Sequence, residues 1–479
     1  MDLTAAQEPG HGAGDDIARS AVSDWKIIAT LCFVAIAGTG SSAVIYAATP
    51  MFIKVFPEPR IIGWMSSIYF IVGAIAAGLC GGIGDLYGRR ATMISILSIV
   101  TVAGVIAGAL TDPLHVVAVH AIQGLGVASP TLNMGLIREN IAPRRVPFAI
   151  AIVTTATTAT AGLFFMLAGY IMDHQSWRFI FWFGPFLLVP AILLLMAFVP
   201  NSRPASVPRT VPVLNGLFFG MAALFLMVGV GELSQSGLAG RPFLILAIGA
   251  LCLFGWIRNS LSTPTPMVDV RMLGQRGLAA IMLVYALLSL TMFHFGHVLL
   301  FVGKATAQDG YGGGLSGTAI AAIMVPQGFL GLLFGPLAGV LVQRYGHFRV
   351  FLASLSLASL PYLILLLLDH GYATLLLVVV AAGMVGGVIA PAFRIALQEE
   401  VDISRASSAM GLAELLRALC MGLGAQVVAA MLAHNAAATQ VSPSLDPTRF
   451  TTLMAGFVIL MGIAAAVYAA FGSRQGKIQ

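Results

Sequence analysis

Glu414 and Arg417 stand three residues apart inside a run of apolar and small residues, 406–433. A charge at the centre of a membrane-spanning helix costs about 2.5–3.5 kcal/mol, so the two cost about 5–7 kcal/mol if unpaired. Their spacing puts them on one helix face, where they can pair, and that face must look into protein rather than lipid. Two readings stay open: a proton or substrate site, or a structural ion pair near the cytoplasmic entrance. His294 and His297 repeat the three-residue spacing in the run 278–302. An unperturbed imidazole titrates at about pH 6.5, so they could sense protons or touch a substrate. The alternative is a pair of hydrogen-bonded core histidines. Two histidines alone make a poor metal site, because most sites need more ligands. Thr154, Thr155, Thr157, Thr158 and Thr160 enrich the run 147–172 in hydroxyls. These could line a cavity or bond to carbonyls of their own helix. Phe164 and Phe165 could stack on an aromatic substrate or simply pack. Glu232 falls at the end of the run 211–232, where an interfacial place is expected. Gly310–Gly317 is glycine-rich, but no Gly-Lys-Ser/Thr follows it, so it is no phosphate cradle. No nucleophile–base constellation, metal cluster or nucleotide motif is evident, which argues against an enzyme.

These groups need elements to hold them. Apolar residues make up 58% of the 479, and charged residues 9%, against about 25% in ordinary soluble domains. Mean hydropathy is +0.94. A soluble chain this poor in charge could not wet its surface, whereas a chain solvated by lipid need not. Spans are expected near 27–50, 61–80, 91–110, 115–137, 147–172, 177–199, 211–232, 242–257, 278–302, 317–342, 348–368, 372–393, 406–433 and 451–471. Runs of this kind are long enough to cross about 30 Å of hydrocarbon. Backbone groups in lipid must be satisfied within the segment, so the runs are helices. The chain is thus an all-α polytopic membrane protein with about 14 crossings.

The pI of about 9.3 carries a topology signal, with no nucleic acid implied. Of the 25 Lys and Arg, only Lys54, Arg60, Arg178, Arg241, Lys304 and Arg449 fall in one set of alternate loops, and Arg417 falls in a span. The rest lie in the tails and the opposite loops, which by the positive-inside rule puts both termini in the cytoplasm. Cys32, Cys80, Cys252 and Cys420 all sit in apolar runs without disulfide or metal spacing and read as packing residues. The N-terminus is polar, carries Asp15, Asp16 and Asp24, and lacks a basic n-region, so the first span is expected to be an uncleaved anchor.

Two loops repeat. Gly81-Gly-Ile-Gly-Asp85-Leu-Tyr-Gly88-Arg89-Arg90 and Gly339-Val-Leu-Val-Gln343-Arg344-Tyr-Gly346-His347 share glycines offset by the same 258 positions. Internal repeats are a hallmark of secondary transporters. The expected organisation is a cytoplasmic tail 1–26, a six-helix bundle 27–199, two inserted helices 200–257, a cytoplasmic linker 258–277, a second six-helix bundle 278–471 and a tail 472–479. The linker carries two prolines in three residues, at Pro264 and Pro266. Gly331, Gly335 and Gly339 share one helix face and would let a partner backbone approach.

The first loop resembles the signature between helices 2 and 3 of the major facilitator superfamily, Gly-x-Leu-x-Asp-Arg-x-Gly-Arg-Lys. Gly81, Asp85, Gly88, Arg89 and Arg90 match, with Ile83 and Leu86 as departures. With its fourteen spans the chain looks most like the drug:proton antiporters of fourteen helices. Trp177-Arg-Phe-Ile-Phe181 followed by Pro185 resembles the start of their helix 6. His120-Ala-Ile-Gln123-Gly124-Leu-Gly126 resembles their helix 4 motif, and Pro266-Met-Val-Asp-Val-Arg271 their linker before helix 9. The resemblance implies the major facilitator fold, two six-helix bundles plus two extra central helices. It implies that Asp85, Gly88, Arg89 and Arg90, with Arg344 of the second copy, gate the cytoplasmic side. Candidates for proton coupling are His120, Gln123, Glu414 and Arg417; candidates for the substrate cavity are His294, His297, Thr158 and Phe165.

The departures bear on mechanism. His120 stands where the family usually has an arginine. The Gly-Pro pair of the helix 5 motif is absent from Phe164-Phe165-Met-Leu-Ala168-Gly169, and Ser41 stands where an acid is frequent. The expected function is efflux of a small organic molecule, hydrophobic or cationic, in exchange for protons, by a monomer in a bacterial inner membrane. No cofactor is expected beyond a proton gradient. Alternatives are proton-coupled uptake or facilitated movement of an organic solute, and a non-transporting membrane sensor or lipid-modifying enzyme on the same scaffold.

Overall fold

The computed structural model describes residues 24–48, 51–52, 55–56, 59–142, 145–202, 212–236, 240–263, 266, 268–304, 313–401, 406–433 and 447–472. Among them every regular element is a helix. The first group is α1 (Asp24–Ala47), α2 (Pro59–Tyr87), α3 (Arg89–Ala109), α4 (Pro113–Gln123), α5 (Ser129–Asn140), α6 (Val146–His174) and α7 (Arg178–Phe198). α8 (Val213–Ser236) and α9 (Arg241–Ser262) follow. The second group is α10 (Arg276–Thr291), α11 (Phe295–Lys304), α12 (Gly317–Tyr345), α13 (His347–Leu357), α14 (Leu360–Leu367), α15 (Tyr372–Glu400), α16 (Ala406–Ala433) and α17 (Pro447–Phe471). Among the described residues, ten helices are long and apolar enough to cross a membrane. Their outward faces suit lipid rather than water: Phe186, Leu251, Phe254 and Leu333 are each more than half exposed.

Three stretches expected to be single spans are broken. A short 3-10 segment, Gly124–Ala128, separates α4 from α5, and another, Met292–His294, separates α10 from α11. The stretch 348–368 is broken by a turn between α13 and α14. The first break has a packing reason. Gly124 lies against the Tyr69 carbonyl of α2, where no side chain would fit.

The repeated loops fold alike. Gly88, between α2 and α3, has φ 91° and ψ 130°; Gly346, between α12 and α13, has φ 82° and ψ 151°. Residues with a Cβ avoid that region. Both glycines lie at one end of the molecule, called here the Gly88 end; the opposite end is marked by Asp173. The glycine stripe on α12 behaves unevenly. Gly331 meets Gly387 of α15 closely, as expected, but Gly339 faces open space.

Helices α8 and α9 are zipped by a polar knot. The Asn215 amide donates to Asn259 Oδ1 at 3.0 Å and to Ser260 Oγ at 2.6 Å, while its Oδ1 accepts from Trp256 Nε1 at 3.1 Å. Each buried polar atom in this knot has a partner, which lipid demands. α8 then packs on both α2 and α16, one helix from each group.

Among the described residues the buried apolar side chains form three clusters, one of which joins Ile71 and Ala74 of α2 to α8 and the second group. Toward the Asp173 end one cluster joins both groups, with Ile45, Phe52, Ala168 and Ile171 packed alongside Val298, Val302 and Ile320. Toward the Gly88 end the first group has its own cluster, including Leu31, Met93, Leu136 and Leu195. Among the described residues that cluster draws on nothing beyond Val199.

Candidate functional site

The charged pair of α16 forms. Arg417 Nε donates to Glu414 Oε2 at 2.6 Å, and Nη1 donates to the Met421 sulfur at 3.0 Å. The pair is not sealed, since the side chains are 33% and 29% exposed. Tyr69 of α2 and Tyr285 of α10 lie within electrostatic reach of Arg417, so the pair looks toward the seam between the two groups. Tyr285 stacks on Phe393 of α15 with centroids 3.8 Å apart and planes 8° from parallel. That leaves a flat aromatic wall beside the ions.

From Tyr69 the polar chain continues into the first group. Its hydroxyl lies against Ser42 of α1. Its ring stacks on His120 of α4 at 5.3 Å, and Phe181 of α7 meets the imidazole edge-on at 5.8 Å. His120 Nδ1 donates to Gln123 Oε1 at 2.6 Å, a contact that three-residue spacing on one helix permits. Gln123 Nε2 is buried and has no hydrogen-bond partner among the described residues. The α4–α5 break thus seats His120 against the helix that faces the ion pair.

A second contact across the seam runs through His294. The 3-10 turn before α11 aims its ring at α1, with Nδ1 3.3 Å from the Tyr46 hydroxyl. Gly424 of α16 makes room for that ring. The Phe165 ring of α6 lies against Gly296 of α11, also across the seam. The side chains of Thr158 and His297 lie outside the described residues. Thr160 bonds its own helix, donating to the Ala156 carbonyl at 2.8 Å.

At the Gly88 end the basic pair ties α3 to its own group. Arg89 Nη1 donates to the Gly135 carbonyl at 3.2 Å. Arg90 donates from Nε to Leu195 O at 3.2 Å and from Nη2 to Met196 O at 2.7 Å, near the C-terminus of α7. A cation suits the carbonyl end of a helix; Leu195 O accepts from Val199 N at 3.2 Å as well. Ser202 completes the corner, accepting from Arg90 N at 3.1 Å and donating to Glu139 at 3.0 Å. Arg344 is exposed and lies over the neighbouring Tyr345 ring at 5.4 Å. The side chain of Asp85 lies outside the described residues.

The sequence reading did not single out Tyr46, Tyr69, Tyr285 or Asp173. A tyrosine within an apolar helix is a signal in itself, because its hydroxyl needs a partner. Asp173 carries one too: an acid in the last turn of α6 stands at the unfavourable end of the helix dipole.

The Major Facilitator Superfamily model matches residues 30–425. The uridine/deoxyuridine transporter of Lactococcus lactis subsp. cremoris is 27% identical over 59% of this chain and 60% of its own length. The lincomycin resistance protein of Streptomyces lincolnensis is 28% identical over 55% of this chain and 55% of its own. The chain therefore spans less than two thirds of the length of these curated relatives. A crystal structure of a D-xylose-proton symporter superposes with a TM-score of 0.68, covering 95% of this chain and 99% of that one at 14% identity. At that identity the likeness speaks for the fold.

Proposed function

The chain belongs to the Major Facilitator Superfamily, and on that premise we propose that it is a secondary active transporter that expels a small organic molecule, hydrophobic or cationic, in exchange for protons. In this reading it crosses the membrane about fourteen times. Two six-helix bundles rock about the seam, α8 and α9 are added helices, and the Gly88 end is cytoplasmic. The placement of basic residues supports that orientation. Asp85, Gly88, Arg89 and Arg90, with Arg344, control closure at that end.

The observation that carries the proposal is the Glu414–Arg417 pair, set in an apolar helix and turned toward both groups. A carboxylate that takes up a proton loses its hold on the arginine, while the arginine stays charged. Proton arrival therefore frees a cation beside Tyr69 and Tyr285, and proton loss restores an anion that can attract a cationic solute. Each charge crossing 100 mV supplies about 2.3 kcal/mol. His120 and Gln123 extend the same path, and His294 and Phe165 line its other side.

Glu414→Gln tests the idea in proteoliposomes with a lipophilic cation as probe. Uphill movement driven by a pH gradient should fall roughly tenfold or more, while exchange without a gradient persists. Undiminished uphill transport in that variant would sink the proton role. Uptake of an organic solute is the second reading. It is supported by the altered positions Ser41 and His120 and by the named activity of the Lactococcus relative. An inward-directed proton gradient that drives accumulation rather than expulsion would favour it.

A further inference from the structure

Asp173 is the penultimate residue of α6. Three hydrogen bonds join its carboxylate to the other group of helices. Oδ1 accepts from the Gly317 N–H at 3.2 Å, and Oδ2 accepts from the N–H and the hydroxyl of Thr318 at 2.7 and 2.6 Å. These are among the first N–H groups of α12, which have no acceptor inside their own helix. The next one, Ala319, donates to Ser316 Oγ at 3.1 Å. The positive end of α12 is thus closed partly by its own cap and partly by a carboxylate from across the seam. That contact also offsets the unfavourable placement of Asp173 at the C-terminal end of its own helix.

The same crossing is tight further in. A Cβ on Gly162 of α6 would lie 3.1 Å from the Val325 carbonyl of α12, so the two backbones nearly touch. Around Asp173 the apolar core is common to both groups; elsewhere Ile71 and Ala74 of α2 join the second group's cluster, and the first group's cluster at the Gly88 end is its own. The structure is therefore shut at the Asp173 end, with one carboxylate bonded across the joint.

We infer that Asp173 is the latch of that end: its carboxylate holds α6 to α12, and the transport cycle requires it to release Gly317 and Thr318 before the end can open. This rests on the transporter reading above. It adds a gating residue at the end opposite the glycine loops.

Two measurements test it, both in protein whose four native cysteines, Cys32, Cys80, Cys252 and Cys420, have been replaced. In the first, Asp173→Cys and Thr318→Cys are combined and oxidised. The bridged protein should transport the lipophilic cation roughly tenfold or more slowly, and reductant should restore the rate. Full transport by the bridged protein overturns the latch. The second needs no solute. Val298 is buried one turn beyond His294, in the apolar cluster that joins both groups. Labelling of Val298→Cys by a membrane-impermeant maleimide reads opening at this end. Adding Asp173→Ala should speed that labelling by roughly fivefold or more, and Asp173→Glu should bring it back toward the parent rate. Unchanged labelling in Asp173→Ala overturns the proposal. Labelling that responds in a chain moving no solute would defeat the transporter reading and leave the latch standing.

Discussion

His120 is held between two aromatic rings and bonded to Gln123, an arrangement that serves either a proton or plain packing. Replacement by phenylalanine separates the two. His120→Phe keeps a flat ring between Tyr69 and Phe181 but cannot carry a proton or donate to Gln123. If the imidazole relays protons, pH-driven transport should fall roughly tenfold and the pH–activity profile should flatten, with protein yield unchanged. A profile that overlays the parent would leave His120 a packing residue. Pairs of this sort are legible in the sequence because three-residue spacing within one helix decides them. The Glu414–Arg417 bond and the His120–Gln123 bond are both such cases. Tyr69 and Asp173 are not legible in that way. The contacts that matter are Arg417 on α16 for Tyr69, 348 positions off (417 − 69), and Thr318 on α12 for Asp173, 145 positions off, and only the choice of neighbouring helices brings them together.

Among elements, the two glycine turns make a matched pair with one difference. Gly88 and Gly346 share a backbone conformation closed to other residues, so alanine at either should cost about 1–3 kcal/mol of strain. At Gly88 a Cβ would also come within 2.9 Å of the Ser202 carbonyl, whereas at Gly346 nothing lies within 4 Å. Gly88→Ala should therefore lower the melting temperature in detergent more than Gly346→Ala does. Equal losses would show that Ser202 yields freely and that the corner it forms with Arg90 and Glu139 is soft. The repeat that predicts both turns is legible from the equal offset of the glycines. The breaks at Gly124–Ala128 and Met292–His294 are not. Hydropathy runs straight through them, and the first is set by how closely α4 and α5 approach α2.

At the scale of the molecule, the placement of α8 bears on how the two groups can move. It packs on α2 through Gly216 against Leu79 and Gly220 against Ile75. It packs on α16 through Met227 against Gly422 and Gly231 against Gln426. α2 and α16 also meet directly, Ser67 donating to the Gly422 carbonyl at 3.1 Å. α8 thus lies along a joint between groups that must shift if the Asp173 end is to open. Composition alone marks α8 as one more apolar helix, since its residues suit lipid and protein equally. A helix lying across a moving joint can ride with one side but cannot be fixed to both. In protein stripped of native cysteines, a disulfide between Ile75→Cys and Gly220→Cys, or one between Gly231→Cys and Gln426→Cys, should each leave most of the transport rate. Both together tie α2 to α16 through α8, and the rate should fall roughly tenfold until reductant is added. Full transport with both bridges closed would mean that α2, α8 and α16 move as one body, and that the working joint lies elsewhere along the seam, at the α6–α12 crossing.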